Sequence, residues 1–97
     1  MATIPSSLQG VLWSKSVARL DLKQDKTYII HQVLRFGSLD DIRWLIKTYD
    51  GKTLREEFCQ HPKAIYSRPA LNFVKNSILR LEKENLDETK YLQQVVY

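Results

Sequence analysis

Few residues in this chain could do covalent chemistry: one cysteine, two histidines and eleven carboxylates. Cys59 and His61 stand two apart, a spacing that on a helix turns them about 200° away from each other. They cannot form a local thiolate–imidazole pair, and Cys59 is expected to be a packing residue, because a reactive thiol needs an activating environment. His31 lies four residues before Arg35 on the polar side of a predicted helix and is expected to be a solvated surface residue. The adjacent acids Asp40-Asp41 and Glu56-Glu57 fall in or near the first turns of predicted helices, where the macrodipole attracts carboxylates without any catalytic role. No glycine-rich phosphate loop, no G-x-S-x-G elbow and no H-E-x-x-H pair is present. One cysteine and two histidines are also too few for a four-ligand zinc site. The expectation is a protein with no catalytic residue, no metal and no cofactor.

Binding chemistry is better represented. Fifteen Lys+Arg against eleven Asp+Glu leave a net charge of +4, an excess that permits nucleic-acid contact without deciding it. On a predicted helix opening at Ser67-Arg68-Pro69, placing Arg68 at zero puts Asn72 at about 40°, Lys75 at about −20°, Asn76 at about 80° and Lys83 at about 60°. These are the side-chain types that contact guanine, phosphate and adenine, although an ordinary solvated helix face has the same composition. Trp44 projects away from the apolar stripe of its helix. It either meets a partner or lies beneath the N-terminal arm or the C-terminal segment. The tail, with Tyr91, Leu92, Val95, Val96 and Tyr97, is too apolar for a free terminus and should dock on this chain, a second copy or another protein. Trp44, Tyr91, Val95 and Tyr97 are therefore the candidate partner-binding residues.

Helices must position all of these. Three glycines and three prolines divide 97 residues into short segments with helical spacing, and 43% hydrophobic residues supply one core. A first helix runs from Leu22 or Asp25 to Arg35, with Asp21 and Asp25 as rival caps and Gly37 as the stop. Its buried side is expected to be Ile29, Ile30, Val33, Leu34 and Phe36, with Tyr28, His31, Gln32 and Arg35 outside. A second begins after Ser38, which with Asp41 makes an acidic capping box, and buries Leu39, Ile42, Leu45, Ile46 and Tyr49. A third covers Thr53 to Gln60, and the fourth and longest buries Ala70, Leu71, Val74, Ile78 and Leu81. A weaker fifth could follow from Glu88 to Tyr97. Residues 1–20 form an arm pinned through Trp13, residues 21–84 the helical domain and residues 85–97 a C-terminal segment. The fold class is all-α, a compact four- to five-helix single domain. No stretch approaches the ~18 apolar residues of a membrane span, and no secretory leader is evident, so a cytoplasmic protein is expected.

The second and third helices, joined by Tyr49-Asp50-Gly51-Lys52 and preceded by a covering helix, match a helix-turn-helix plan. In the usual docking the helix after the turn enters the major groove, which makes Thr53, Arg55 and Glu56 base-facing candidates and puts Lys52 on phosphate. Glu56-Glu57 opposes this, because carboxylates repel a phosphate backbone.

From Leu12 to Leu79 the chain resembles a family of small, largely uncharacterised prokaryotic proteins with a helix-turn-helix-like core. The residues that carry the resemblance are Leu12-Trp13, Asp25 to Ile30, Val33 to Gly37, Leu39 to Ile42, Trp44-Leu45, Tyr49 to Gly51, Leu54-Arg55, Ser67, Pro69 and Leu71 to Phe73. Members are often encoded beside nucleotidyltransferase-type toxins of abortive-infection systems. The resemblance implies an antitoxin-like role, with a nucleotidyltransferase-type toxin as the candidate partner. The basic helix faces add operator double-stranded DNA as a second candidate partner, most naturally met by a two-fold homodimer. The competing expectation is a helical protein–protein adaptor with no nucleic-acid role.

Overall fold

The computed structural model describes residues 4–81 and 86–93. Four helices carry the chain: α1 (Lys26–Phe36), α2 (Leu39–Thr48), α3 (Gly51–Gln60) and α4 (Arg68–Phe73), the last running on into a wider π-turn over Val74–Ile78. Short 3-10 segments lie at Ser6–Gly10, Val17–Arg19 and Glu88–Lys90. Among the described residues there is no strand, only a parallel bridge between Tyr66 and Leu92. The expected all-α single domain is what forms. Its radius of gyration, 13.1 Å, is that of a compact chain of this length.

Local chemistry sets the helix starts. Neither candidate cap before α1 bonds a helix amide through its side chain: Asp21 Oδ1 accepts from the Lys23 and Gln24 amides, each at 2.8 Å, while Asp25 Oδ2 accepts from the Asp21 amide at 2.8 Å. They wind a turn that feeds the helix. Ser38 and Asp41 form the capping box of α2, with Ser38 Oγ accepting from the Asp41 amide at 3.2 Å and Asp41 Oδ2 from the Ser38 amide at 2.9 Å. Gly37 separates α1 from α2 because a β-carbon there would lie 2.6 Å from the Val33 carbonyl oxygen. Asp50 caps α3 through the Thr53 amide at 2.7 Å, so that helix starts at Gly51, two residues before the expected Thr53. Ser67 caps α4, with a proline in its first turn where the missing N–H costs little.

The core assigns α1 a different role from the predicted one. Six successive residues, Ile29 to Leu34, are buried, so α1 is enclosed on all sides instead of resting one face on the others. α2 and α3 pack on it, while the arm and the segment after α3 cover its polar side. The polar side chains on that side act as clips. Gln32 Nε2 donates to the Val11 carbonyl at 3.0 Å and Arg35 Nε to the Ile65 carbonyl at 2.8 Å. His31, expected at the surface, is 1% exposed. Its Nε2 lies 2.7 Å from the His61 carbonyl, which can only accept, so Nε2 carries the proton and Nδ1 accepts from the Tyr66 hydroxyl at 2.7 Å. Burial pushes the His31 pKa down to about 4, partly opposed by the bond to His61.

Other departures follow from the same covering. The arm is held by Leu8 and Leu12, both buried, and not by Trp13, which is exposed. The helix from Ser67 ends early: the chain leaves the π-turn through Leu79 and Arg80, whose φ of 54° is left-handed. Of the expected fifth helix, the described residues 88–93 hold one 3-10 turn, after which Tyr66 exchanges backbone bonds with this segment, Tyr66 N to Tyr91 O at 2.9 Å and Gln93 N to Tyr66 O at 2.8 Å. Tyr91 is buried, lies on Phe58 with ring centroids 4.6 Å apart, and donates from its hydroxyl to the Phe58 carbonyl at 2.6 Å. It therefore belongs to the core and is not a partner-facing residue. Val95 and Tyr97, like Lys83, lie outside the described residues.

Candidate functional site

The expected recognition helix is α3. Lys52 and Arg55 are exposed on it, Thr53 is half-buried with its amide bound to Asp50, and Lys52 pairs with Glu56 at 3.8 Å. The adjacent acids separate. Glu56 faces solvent, whereas Glu57 turns into the α1–α3 interface, where it accepts from the Thr27 hydroxyl at 2.7 Å and pairs with Lys26 at 3.2 Å. Burial opposes the charge on Glu57, but Thr27 and Lys26 outweigh it and hold the carboxyl below its ordinary range. His61, half-exposed, lies 3.9 Å from the same carboxylate. Only one of the two acids thus reaches the surface a duplex would meet. Cys59 is half-buried beside Arg55, Glu56, Gln60 and Leu81 in a shallow depression of about 230 Å³.

Of the four residues expected on the outer face of the fourth helix, Arg68 and Asn72 lie on α4, and Lys75 and Asn76 on the π-turn that continues it. Arg68, Asn72 and Asn76 are exposed, but the Lys75 side chain is only 16% exposed. One carboxylate answers both cations: Glu88, from the turn before Tyr91, lies 3.3 Å from the Arg68 guanidinium and 3.9 Å from the Lys75 ammonium. No local spacing signals this contact, since Glu88 reaches across the chain from 13 positions beyond Lys75.

A third surface is apolar. Trp13 (57% exposed) sets its ring edge-on to Phe36 (41%) with centroids 4.8 Å apart, and the Arg35 guanidinium lies 4.8 Å from the centre of the Phe36 ring. Leu39 (65%) and Ile46 (48%) stand seven residues apart on α2, on one face of that helix. Both were expected inside, with Trp44 outside. Instead Ile42 and Leu45 are buried and Asp41, Trp44, Thr48 and Tyr49 half-buried, so the buried arc is turned by about 60° from the expected stripe. Trp44 packs against the core, which removes it as the leading partner residue. No local spacing marks Phe36 and Leu39, either side of the Gly37-Ser38 link, as exposed; the packing of α2 on α1 decides it. Phe73 is a further exposed ring, on α4.

The arm also borders a cleft of about 1040 Å³, lined by Ile4, Val17, Leu20 and Leu22 with Gln9 and Asp21 among its polar walls. Those polar groups are committed. The Gln9 amide bonds the Leu12 and Lys15 carbonyls and the Val17 amide, and Asp21 caps its own turn. Among the described residues no cluster of three or more His, Cys, Asp or Glu side chains could hold a metal, and no helix is long and apolar enough to cross a membrane.

Residues 8–58, from the arm through Phe58 of α3, match the model of a family of unknown function (DUF6922). No curated protein and no solved structure matches the chain.

Proposed function

Because the chain belongs to the DUF6922 family of unknown function, its own surfaces are the guide to its role, and we propose that it is a non-enzymatic, antitoxin-like protein that grips a protein partner. The observation that carries this is a set of exposed large apolar residues, the Trp13–Phe36 ring pair and Leu39 and Ile46 on one face of α2, beside a core that buries sixteen other apolar side chains among the described residues. Large apolar side chains left uncovered are the material of an interaction site, and rings with few rotatable bonds lose little entropy when a partner orders them. The groups best placed to react, His31 and Glu57, have their polar atoms committed to Tyr66, His61, Thr27 and Lys26. The partner chemistry we favour is a nucleotidyltransferase-type toxin, gripped on α2. Leu39→Ser with Ile46→Ser should abolish co-purification with that toxin and its neutralisation, while Lys52→Ala and Arg55→Ala should leave both intact. Equal binding by the Ser variants would sink the assignment of this surface.

Operator DNA is the second reading, supported by Arg68 and Lys75 converging on one carboxylate, by exposed Asn72 and Asn76 on the same continuous segment, and by Lys52 and Arg55 exposed on α3. A two-fold homodimer would present both faces twice. Duplex titrations across salt separate this from a pure adaptor: phosphate contacts give a slope of roughly −0.9 each, and an adaptor gives none.

A further inference from the structure

We propose that Arg68 and Lys75 form a phosphate site that the chain keeps filled with its own Glu88 carboxylate, and that a phosphodiester of a nucleic-acid backbone displaces Glu88 when α4 binds. This rests on the DNA reading of α4 given above. The two oxygens of Glu88 are divided between two cations, Oε1 lying 3.3 Å from Arg68 and Oε2 3.9 Å from Lys75, although those residues stand seven apart along the helix. A phosphodiester offers the same pattern: one negative charge spread over two unesterified oxygens. Lys75 is already ordered and largely sheltered, so little further freedom is lost when it meets a phosphate. Asn72 and Asn76, on the same segment of chain, are exposed, with amides able to bond a phosphate or a base edge.

Glu88 is held in place by its segment. Tyr91 is stacked on Phe58, Tyr66 N donates to Tyr91 O and Gln93 N donates to Tyr66 O, so the carboxylate is presented at high local concentration. Displacement needs only rotation of the Glu88 side chain, since none of these anchoring bonds involves its carboxylate. Ion pairs at 3.3 and 3.9 Å around a carboxylate that is one-third exposed are individually weak, so a polyanion that makes several contacts at once can replace the carboxylate where a single free anion cannot.

The test is duplex binding by fluorescence anisotropy between 50 and 200 mM salt, with each variant's fold checked by circular dichroism. Glu88→Gln, or Glu88→Ser should Gln perturb the turn, should tighten binding roughly three- to tenfold at the lowest salt and steepen the salt slope. Asp40→Asn removes the same charge from α2, beside Arg43, and should change affinity far less. In the background of Arg68→Ala with Lys75→Ala, changing Glu88 should have no effect. If Glu88→Gln and Asp40→Asn act equally while the unmodified protein binds duplex, the plugged site is wrong and the DNA reading survives. Should no variant, Glu88→Gln included, bind duplex at 50 mM salt, both fall. Inorganic phosphate at 10 mM that displaces duplex fully from Glu88→Gln would overturn the phosphodiester assignment.

Discussion

Residues 26–60 and residues 61–93 are built in opposite ways. In the first region each helix carries its own start signal within three or four residues: the Asp21–Asp25 turn, the Ser38–Asp41 box, the Asp50 cap. Among its described residues the second region has local caps at Ser67 and Asp87, but most of its shape comes from reaching back. Tyr66 bonds His31, Tyr91 lies on Phe58, and Arg35 holds the Ile65 carbonyl. The first region's start signals are local, whereas the described part of the second region leans on the α1–α3 surface through Tyr66, Ile65 and Tyr91. The two regions should therefore differ in what destabilises them.

The largest effect should come from Tyr91→Ala. It removes a fully buried ring, its stack on Phe58 and a hydroxyl bond, and truncations of this kind cost about 3–5 kcal/mol. Tyr91→Phe keeps the ring but leaves the buried Phe58 carbonyl without that donor, at about 1–2 kcal/mol. Urea unfolding followed by far-ultraviolet dichroism checks both. A loss below 1 kcal/mol for the Ala variant would show that residues 61–93 are an appendage outside the cooperative unit.

Acid should act next, and through the join between the two regions. His31 has a pKa near 4 when folded, against 6.5 for an unburied histidine, so between these values the unfolded chain binds a proton that the folded chain refuses. Stability from this residue is complete above pH 6.5 and falls by roughly 3 kcal/mol as pH drops to 4. Protonation would put a second donor on Nδ1, facing a Tyr66 hydroxyl that must then turn round to accept. The charges nearest the ring are Lys63, Glu57 and His61, of which Lys63 and His61 disfavour the added proton while Glu57 favours it. Denaturation midpoints at pH 7, 5.5 and 4.5 report this, and His31→Gln should flatten most of the dependence. An equally steep profile in the variant would assign the acid sensitivity to other groups.

The same contrast explains how much the sequence disclosed. Helix starts were legible because a cap and its amide sit a few residues apart: Ser38 with Asp41, Ser67 with Ala70. The stop at Gly37 was legible because the clash that demands glycine, with the Val33 carbonyl, is also local. His31 was misjudged because periodicity reports which residues are polar, and only the fold shows that Tyr66 and the His61 carbonyl arrive to satisfy this one. For Tyr91 the apolar tail composition signals docking but not where, and of the three surfaces open to it the structure shows this chain's own Phe58, 33 positions away. The rotation of α2 escaped because its apolar residues span a wide arc, and the packing of α1 against it decides which part is covered. Of the candidate sites, the α4 face was legible as a pattern, but its neutralisation by Glu88 was not.

A mid-sized effect calibrates the local region. Ser38→Ala removes the acceptor for the Asp41 amide and should cost about 1 kcal/mol, the ordinary value for an N-cap, with no change in acid sensitivity. If the loss instead approached that of Tyr91→Ala, the α1–α2 junction would be holding distant structure in place, and the division into local and reaching regions would not stand.

The smallest change in stability should accompany the largest change in recognition. Leu39 and Ile46 are 65% and 48% exposed, so replacing each with serine removes little buried area and should shift stability by no more than about 0.5 kcal/mol. The replacement also relieves apolar surface that water must order around, which should raise solubility. Trp44→Ala makes the contrast, because that ring is packed against the core and its loss should cost clearly more while sparing the outer stripe. A protein whose α2 surface has only a structural role would show the reverse order, with the Leu39 and Ile46 variants unstable and their binding intact. Thermal midpoints and partner affinity measured on the same three variants separate the alternatives, because covering a side chain in the fold and covering it with a partner leave opposite signatures in those two quantities.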